Sequence, residues 1–160
     1  MINLKPFTSE DVGNAVLLLT DEKVKETYML PDFDSKEKVV ALFERLKNLS
    51  YQENHFVRGI YLNDELIGLV NDVEIEGDKL EIGYAISSLY HNLGYGTEML
   101  KMVLNQLIER GFVEIKAGAF VENPASTRIM QKAGMTRIDY TDEVEYRGKV
   151  HKCIYYIYKK

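Results

Sequence analysis

The residues best suited to chemistry lie in one short glycine-containing segment near the middle of the chain. A buried-looking strand, residues 80–86, precedes the segment, and a strongly amphipathic helix, residues 97–110, follows it. The first amides of a helix have no acceptor within the helix, and glycines let the backbone approach a bulky anion. The pattern predicts a phosphate-binding turn, with a plain tight turn as the alternative. The segment consists of His91, Asn92, Leu93, Gly94, Tyr95, Gly96 and Thr97.

Two common phosphate-binding motifs do not match this segment. A dinucleotide-binding fingerprint requires a third glycine three positions after the second, where this chain has Met99. A nucleoside triphosphate loop requires Gly-Lys-Ser or Gly-Lys-Thr, and neither tripeptide occurs in the sequence. The sequence therefore supports neither a dinucleotide nor a nucleoside triphosphate as the ligand.

The elements around the turn predict a mixed α/β fold. Apolar periodicity and capping residues predict helices over residues 12–19, after Asp34 and Ser35, over 97–110, and from Asn123 to Gly134. Short alternating runs predict strands, and residues 20–33 show no clear period and are predicted to be a loop. We expect one domain, residues 1–160, with a mostly antiparallel sheet flanked by helices. The strand-helix-strand order around Gly94 implies two neighbouring strands that lie side by side or splay apart. The predicted strands are 56–62, 66–74, 80–86, 113–121, 140–146 and 150–158.

Composition narrows the classes of function. Lys and Arg number 20 against 25 Asp and Glu, a net charge of −5, and the basic residues form no stripe. A nucleic-acid partner is therefore not expected. No secretion signal or membrane span is evident, so a soluble, cytoplasmic protein is expected. The single cysteine, Cys153, excludes an internal disulfide, and scattered histidines argue against a metal site.

Several segments in order resemble one family, the GNAT superfamily of N-acetyltransferases, and most closely its branch of RimJ- and RimL-like ribosomal-protein N-acetyltransferases. The family's pyrophosphate loop has Gln or Arg, two residues, Gly, any residue, and Gly or Ala. The present sequence matches that loop from His91 to Gly96, with His91 in the place of Gln or Arg. The resemblance covers almost the whole chain. Further similar segments are Leu4 to Asp11, Glu81-Ile82-Gly83-Tyr84, Asn123-Pro124-Ala125-Ser126, and Lys132-Ala133-Gly134-Met135, where Met135 replaces Phe.

The resemblance implies an acyl-CoA N-acyltransferase fold whose central strands splay apart near Ile86, with acetyl-CoA between them. The donor's pyrophosphate would lie on the amides of residues 93–97, with Ile86, His91 and Asn92 also at the donor. Asn123 and Ser126 match positions that face the donor in relatives, although Asn123 alone would be read as a helix cap. The implied reaction is acetyl transfer to a primary amine, either a protein N-terminus or a small amine, by direct attack in a ternary complex. The chain could form a homodimer.

The residues that move protons are the least constrained part of this expectation. Glu81 is the preferred general base, because it lies on a strand face of small residues before the loop; an ion-paired strand residue is the alternative. Asp72 and Glu74 are rival bases. Many relatives have a Tyr seven residues after the Asn, where this chain has Met130, so Ser126 becomes the candidate proton donor. The missing Tyr leaves a second function open, a catalytically silent, regulatory CoA-binding module.

Overall fold

Seven strands and five helices follow one another in the order that the sequence predicts for its central part. The computed structural model describes all 160 residues. Short 3-10 turns precede the first and fourth helices, at Ser9–Asp11 and Ser88–Tyr90. The strands are β1 (Ile2–Lys5), β2 (Val57–Leu62), β3 (Glu65–Glu76), β4 (Lys79–Ile86), β5 (Glu114–Phe120), β6 (Thr136–Tyr146) and β7 (Lys149–Lys159); the helices are α1 (Val12–Leu19), α2 (Glu22–Lys25), α3 (Lys36–Leu49), α4 (Tyr95–Glu109) and α5 (Pro124–Lys132).

Two of the predicted helix starts are capped as expected. The Ser35 hydroxyl accepts a hydrogen bond from the Lys38 amide at the start of α3. The Asn123 side chain accepts from the Ser126 amide at the start of α5, with Pro124 in the first turn. Each cap satisfies an amide that the helix itself leaves without an acceptor. The cap residues therefore fix where these two helices begin.

The strands form one sheet in the order β1-β2-β3-β4-β5-β7-β6. β4 and β5 are parallel, while β1–β2, β2–β3, β5–β7 and β6–β7 are antiparallel. The ladder between β4 and β5 pairs Lys79–Ile82 with Glu114–Ala117 and ends there. β4 nevertheless continues to Ile86 and β5 to Phe120. The expected mixed, mostly antiparallel sheet is confirmed.

Two elements were not predicted. β1 is only four residues long, too short for its alternation to stand out, and it is defined by pairing with β2, as in Ile2↔Leu62. The expectation of a loop over residues 20–33 was wrong in part, because α2 lies within it. A single turn has no measurable period, and this one is held by Asp21, whose carboxylate accepts from the Lys23 and Val24 amides.

The chain forms two compact units. The first comprises residues 1–72 and 84–95. Its core is formed by residues of α1, α3, β2 and β3 with their neighbours, and Phe7 meets Phe43 edge to face at 5.7 Å between ring centroids. Tyr28 donates to the Asn71 side chain at 2.7 Å, which ties the segment after α2 to β3. This segment is therefore anchored although it lacks regular structure.

The second unit comprises residues 73–83 and 96–160. One face of α4 is completely or almost completely buried, including Met99, Val103 and Leu107. Along β5, Ile115 and Ala117 are also buried, whereas Lys116 and Gly118 alternate onto a more open face. That open face carries the polar residues considered below. None of the helices combines the length and apolar character that a membrane span requires.

Candidate active site

The segment between β4 and α4 has the backbone of an anion-binding loop. Asn92 and Gly94 adopt left-handed conformations, with φ of 63° and 85°, and α4 begins at the next residue, Tyr95. Residues 91–94 are exposed. Alternation between left- and right-handed residues turns successive amides toward one side, and the first amides of the helix add to them. The loop can therefore bind a pyrophosphate through its main chain.

The two glycines of the loop have different structural roles. Gly94 is needed for its positive φ, since a Cβ there would meet no atom within 4 Å but would strain the backbone. At Gly96 the backbone is ordinary, and a Cβ would lie 2.6 Å from Cδ1 of Ile129 on α5. Gly96 therefore permits close packing of α4 against α5, while Gly94 shapes the anion site itself.

Side chains fix the segment that leads into this loop. The His91 imidazole donates from Nε2 to the Ile86 carbonyl at 2.7 Å, which closes the turn after β4. The Asp21 carboxylate accepts from the amide and the hydroxyl of Ser88, at 3.0 and 2.7 Å. Burial opposes the ionised form of Asp21, but these bonds and those from α2 amides lower its pKa overall. His91 and Asp21 thus hold the loop from two sides.

The residues at the start of α5 are occupied mainly with helix capping. The Asn123 side-chain oxygen lies 3.3 Å from the Ser126 amide, which donates to it. Met130, at the position of the family's tyrosine, is completely buried. It offers no proton and no exposed surface, so Met130 cannot take the place of that tyrosine.

Glu81 lies on the open face of the second unit, opposite Lys116 in the β4–β5 ladder. Its carboxylate is 20% exposed, and its Oε1 atom is 3.7 Å from Lys116 Nζ. Burial raises the pKa of Glu81, Lys116 opposes the increase, and the acids Glu74 and Asp142 add to it; the net direction is upward. A carboxylate of this kind is a better proton acceptor near neutral pH than an exposed one.

Lys116 is held by two tyrosines as well as by Glu81. Its ammonium lies 5.3 Å from the ring centroid of Tyr155 and 6.0 Å from that of Tyr140. The two rings are 5.4 Å apart. Tyr140 lies within the irregular stretch of β6 between Arg137 and Thr141. These contacts place a cation, a carboxylate and two phenols beside one another.

The two rival acids have different surroundings. Asp72 accepts from the Phe56 amide and from His55 Nδ1, both at 3.0 Å. Two of its acceptor positions are therefore occupied, and its side chain is only 10% exposed. Glu74 is exposed to solvent. Neither combines partial burial and a nearby cation in the way that Glu81 does.

The cysteine and the remaining histidines serve structural roles. Cys153 is buried against Phe120 and Tyr155, and burial together with nearby acids raises the pKa of its thiol, which disfavours the nucleophilic thiolate. His151 pairs with Glu122 and stacks on Phe120 at 4.3 Å between ring centroids. The three histidines have separate partners, in agreement with the scattered sequence positions.

Comparison with known proteins identifies the class. The model of the GNAT acetyltransferase domain matches residues 2–136. The chain therefore belongs to the GNAT acetyltransferases and is an acyltransferase enzyme. No curated protein sequence matches it.

Solved structures of the same fold include several acetyltransferases. A GNAT-family acetyltransferase from Bacillus anthracis has a TM-score of 0.83 and 21% identity over 99% of this chain and 94% of its own. RimL, a ribosomal L7/L12 N-acetyltransferase in complex with coenzyme A, has a TM-score of 0.86 and 18% identity, over 99% of this chain and 93% of its own. Spermidine N-acetyltransferase from Vibrio cholerae, in complex with CoA and spermine, has a TM-score of 0.83 and 15% identity, over 99% of this chain and 95% of its own. At these identities the similarity shows that the chain shares their fold.

The sequence singled out Glu81 but not its neighbours Lys116 and Tyr155. Their alternating positions in β5 and β7 indicate a shared sheet face only once the strand order and register are known. Asp21 was also missed, because its partner Ser88 is 67 residues away along the chain. The polar segment before the loop carried no local signal for that contact.

Proposed function

We propose that this enzyme transfers an acetyl group from acetyl-CoA to a primary amine, by direct attack of the amine in a ternary complex. The acceptor is a protein N-terminus or a small amine. Both compact units together form one acetyltransferase domain, residues 1–160. The observation that carries the proposal is the anion-binding loop of residues 91–97 in a chain of the GNAT family.

The residues available fit the donor. The amides of Leu93 to Thr97 would hold its pyrophosphate, with His91 and Asn92 shaping the turn. The β4–β5 ladder ends at Ile82, and the last residues of β4, up to Ile86, could hydrogen-bond an extended pantetheine arm as an added strand does. Asn123 and Ser126 are proposed donor contacts at the start of α5. Bound acetyl-CoA supplies a thioester whose sulfur leaves as a thiolate.

Glu81 is the proposed general base, taking the proton that the amine loses as it attacks. A neutral amine is the nucleophile, so the base has to accept a proton at a pH where amines are partly protonated. The upward direction of the Glu81 pKa supports this role, and Lys116 limits the increase by favouring the ionised carboxylate. Ser126 stays a candidate proton donor, although its amide is engaged with the Asn123 cap.

The acceptor class is supported by two structures of the same fold. One modifies the N-terminal serine of ribosomal protein L7/L12, and another is a spermidine N-acetyltransferase. Both acceptors present primary amines. In this chain, residues 28–33 and the turn between β6 and β7 are the proposed acceptor-binding segments. A panel of short peptides with free N-termini, polyamines and amino sugars, followed by thiol release, tests the class directly.

The competing function is a CoA-binding module without turnover, which the completely buried Met130 keeps open. The variant Glu81→Gln separates the two. An enzyme using Glu81 retains acetyl-CoA binding and loses about 10²-fold or more in transfer rate, the usual contribution of a general base. The control is Glu74→Gln, which removes the same charge from an exposed neighbour. Absence of thiol release from wild type with every amine would overturn the enzymatic proposal.

A further inference from the structure

Tyr155 lies where the paired part of the central sheet ends. It is opposite Gly118 in the β5–β7 ladder, and Gly118 is the first residue of β5 beyond its last pair with β4. A Cβ on Gly118 would be 2.6 Å from Cε1 of the Tyr155 ring. The ring therefore lies beside the glycine, and a larger residue there would require the ring to move. The phenol thus occupies the place on this face where the two parallel strands separate.

The same ring is next to the proposed base. In these ladders, paired residues point to the same face, so Glu81, Lys116, Gly118 and Tyr155 share one face. Lys116 connects them, with Nζ 3.7 Å from the Glu81 carboxylate and 5.3 Å from the Tyr155 ring centroid. Tyr140 packs against the outer side of the ring. The Tyr155 ring is therefore held between neighbours on β5 and β6.

We propose that Tyr155 is the proton donor to the leaving thiolate, the role for which the chain has no residue at Met130. This inference rests on the proposed amine acetyltransferase function. Met130 is completely buried and has no acidic proton. Cys153, another weak acid on this strand, belongs to the same buried cluster as Tyr155, but it is the Tyr155 ring that contacts the Lys116 ammonium. The other phenols of this strand, Tyr156 and Tyr158, alternate onto the opposite face. The aliphatic hydroxyl of Ser126 is a weaker acid than a phenol, so the donor role falls to Tyr155 rather than to Ser126.

The surroundings of Tyr155 keep its phenol protonated and place a cation beside its ring. Burial, reinforced by Cys153, Glu81, Asp142 and Tyr140, raises the pKa of its phenol to about 12. The group is therefore protonated throughout the neutral range and has a proton to give. The ammonium of Lys116 is close enough to stabilise the phenolate when that proton leaves.

The proton balance closes without any further reactant. Glu81 takes one proton from the attacking amine nitrogen as the new C–N bond forms. Tyr155 gives its hydroxyl proton to the sulfur as the C–S bond breaks. The Tyr155 phenolate then recovers a proton from the Glu81 carboxylic acid, directly or through water. Both side chains return to their starting states, and the products are the acetamide and the free thiol.

The test is the variant Tyr155→Phe, which keeps the packed ring and removes only the hydroxyl. We expect kcat to fall about 10²-fold with an unchanged Kd for acetyl-CoA, the size of effect that a general acid contributes. With the selenium analogue of acetyl-CoA, whose selenol leaving group needs less protonation, the loss should shrink. The matched control Tyr158→Phe, a phenol of the same strand that pairs with Ile115 on the opposite face, is expected to stay within about threefold of wild type.

A binding measurement gives a readout independent of turnover. A phenol that donates to sulfur stabilises the bound thiolate, so wild type should bind free CoA several-fold more tightly at about pH 9 than at about pH 7, across the range where thiols titrate. Tyr155→Phe should lose that difference, and desulfo-CoA should never show it. An inactive wild type would overturn the enzymatic proposal and with it the donor role. Two results with an active wild type would overturn only the role of Tyr155 as proton donor. One is a Tyr155→Phe rate within threefold of wild type. The other is an equal loss of rate with acetyl-CoA and with its selenium analogue.

Discussion

Replacing Lys116 with Met should move the acid limb of the pH–rate profile to higher pH. Lys116 is the only group that favours the ionised form of Glu81 among the influences on its pKa, and Glu74 and Asp142 remain after the change. Without the ammonium, the carboxylate is harder to ionise, so its pKa rises further above its usual value. The variant therefore loses a larger fraction of its activity at low pH than at high pH, in addition to any pH-independent loss from removing the cation beside Tyr155.

The size of this effect follows from the distance between the charges. Two unit charges 3.7 Å apart interact by about 1 kcal/mol at the dielectric constant of water and by about 4.5 kcal/mol at an effective value of about 20. Because Lys116 is 33% and Glu81 20% exposed, the water-like end of that range is the appropriate one. Since one pH unit corresponds to about 1.4 kcal/mol, the limb should move by somewhat less than one pH unit.

The assay compares kcat/KM for wild type and Lys116→Met with one amine over the acid and neutral range. Ionisation of the amine is common to both enzymes and cancels in their ratio. Lys159→Met is the control, because Lys159 forms a similar cross-strand pair with Glu114 at 3.9 Å and is not among the groups that affect Glu81. An acid limb that stays in place or moves to lower pH in Lys116→Met would refute the assignment of Glu81 as the base that Lys116 tunes.

Three further predictions concern binding and stability. Gly94→Ala should cost about 1–2 kcal/mol in backbone strain and should also weaken CoA binding. Gly77→Ala, with a similar positive φ in a remote turn, should lower stability without changing CoA binding. Calorimetry measures the Kd for CoA, and denaturant unfolding measures the stability. Gly118→Ala should lower the free energy of unfolding by about 1–3 kcal/mol, because the new Cβ would collide with the Tyr155 ring. In the control Gly13→Ala, the new Cβ meets no atom within 4 Å and should not destabilise α1. Glu81→Gln should raise the melting temperature at neutral pH by up to about 2–4 °C, the change that ~1 kcal/mol produces in a chain of this size.

The sign of the Glu81→Gln effect follows from linkage. The folded-state pKa of Glu81 is raised, so the folded protein binds this proton more tightly than the unfolded chain. The Glu81 carboxyl therefore stabilises the fold at a pH below its pKa in the unfolded chain. That stabilisation is lost as the pH rises through its higher pKa in the folded protein. The stabilising effect of Gln should therefore disappear in acid; a gain that persists there would contradict it. Equal CoA affinities in the Gly94 and Gly77 variants would contradict the role of Gly94 in the anion-binding loop. An unchanged stability of Gly118→Ala would contradict the close contact between Gly118 and the Tyr155 ring.

Local sequence signals were sufficient for the elements with strong periodicity or explicit caps. The apolar stripe of α4, the Asn123 cap of α5 and the glycine spacing of the loop each depend on residues close together in the chain, and each lies where it was expected. β1 and the single turn α2 are defined by partners elsewhere, Leu62 and the Asp21 cap, and carry almost no local pattern.

The candidate site likewise combines a residue that the local sequence indicates with partners that only the strand order brings together. Glu81 was recognised from its own strand, but the features that set its chemistry are cross-strand. Its partner Lys116 is reached through the β4–β5 register, and Tyr155 through the β5–β7 register. A bulged stretch of β6 brings Tyr140 to the same place. Such contacts depend on which strands become neighbours, which no short segment of sequence encodes by itself.

The most direct test of the account combines binding and turnover in wild type and Glu81→Gln. Calorimetry with acetyl-CoA is followed by thiol release with the panel of peptides and small amines. The account predicts equal Kd values for the two proteins, with release by wild type and a rate lower by about 10²-fold or more in the variant. Equal rates in the two proteins would contradict Glu81 as the base, and binding without release by either would contradict amine acetylation itself.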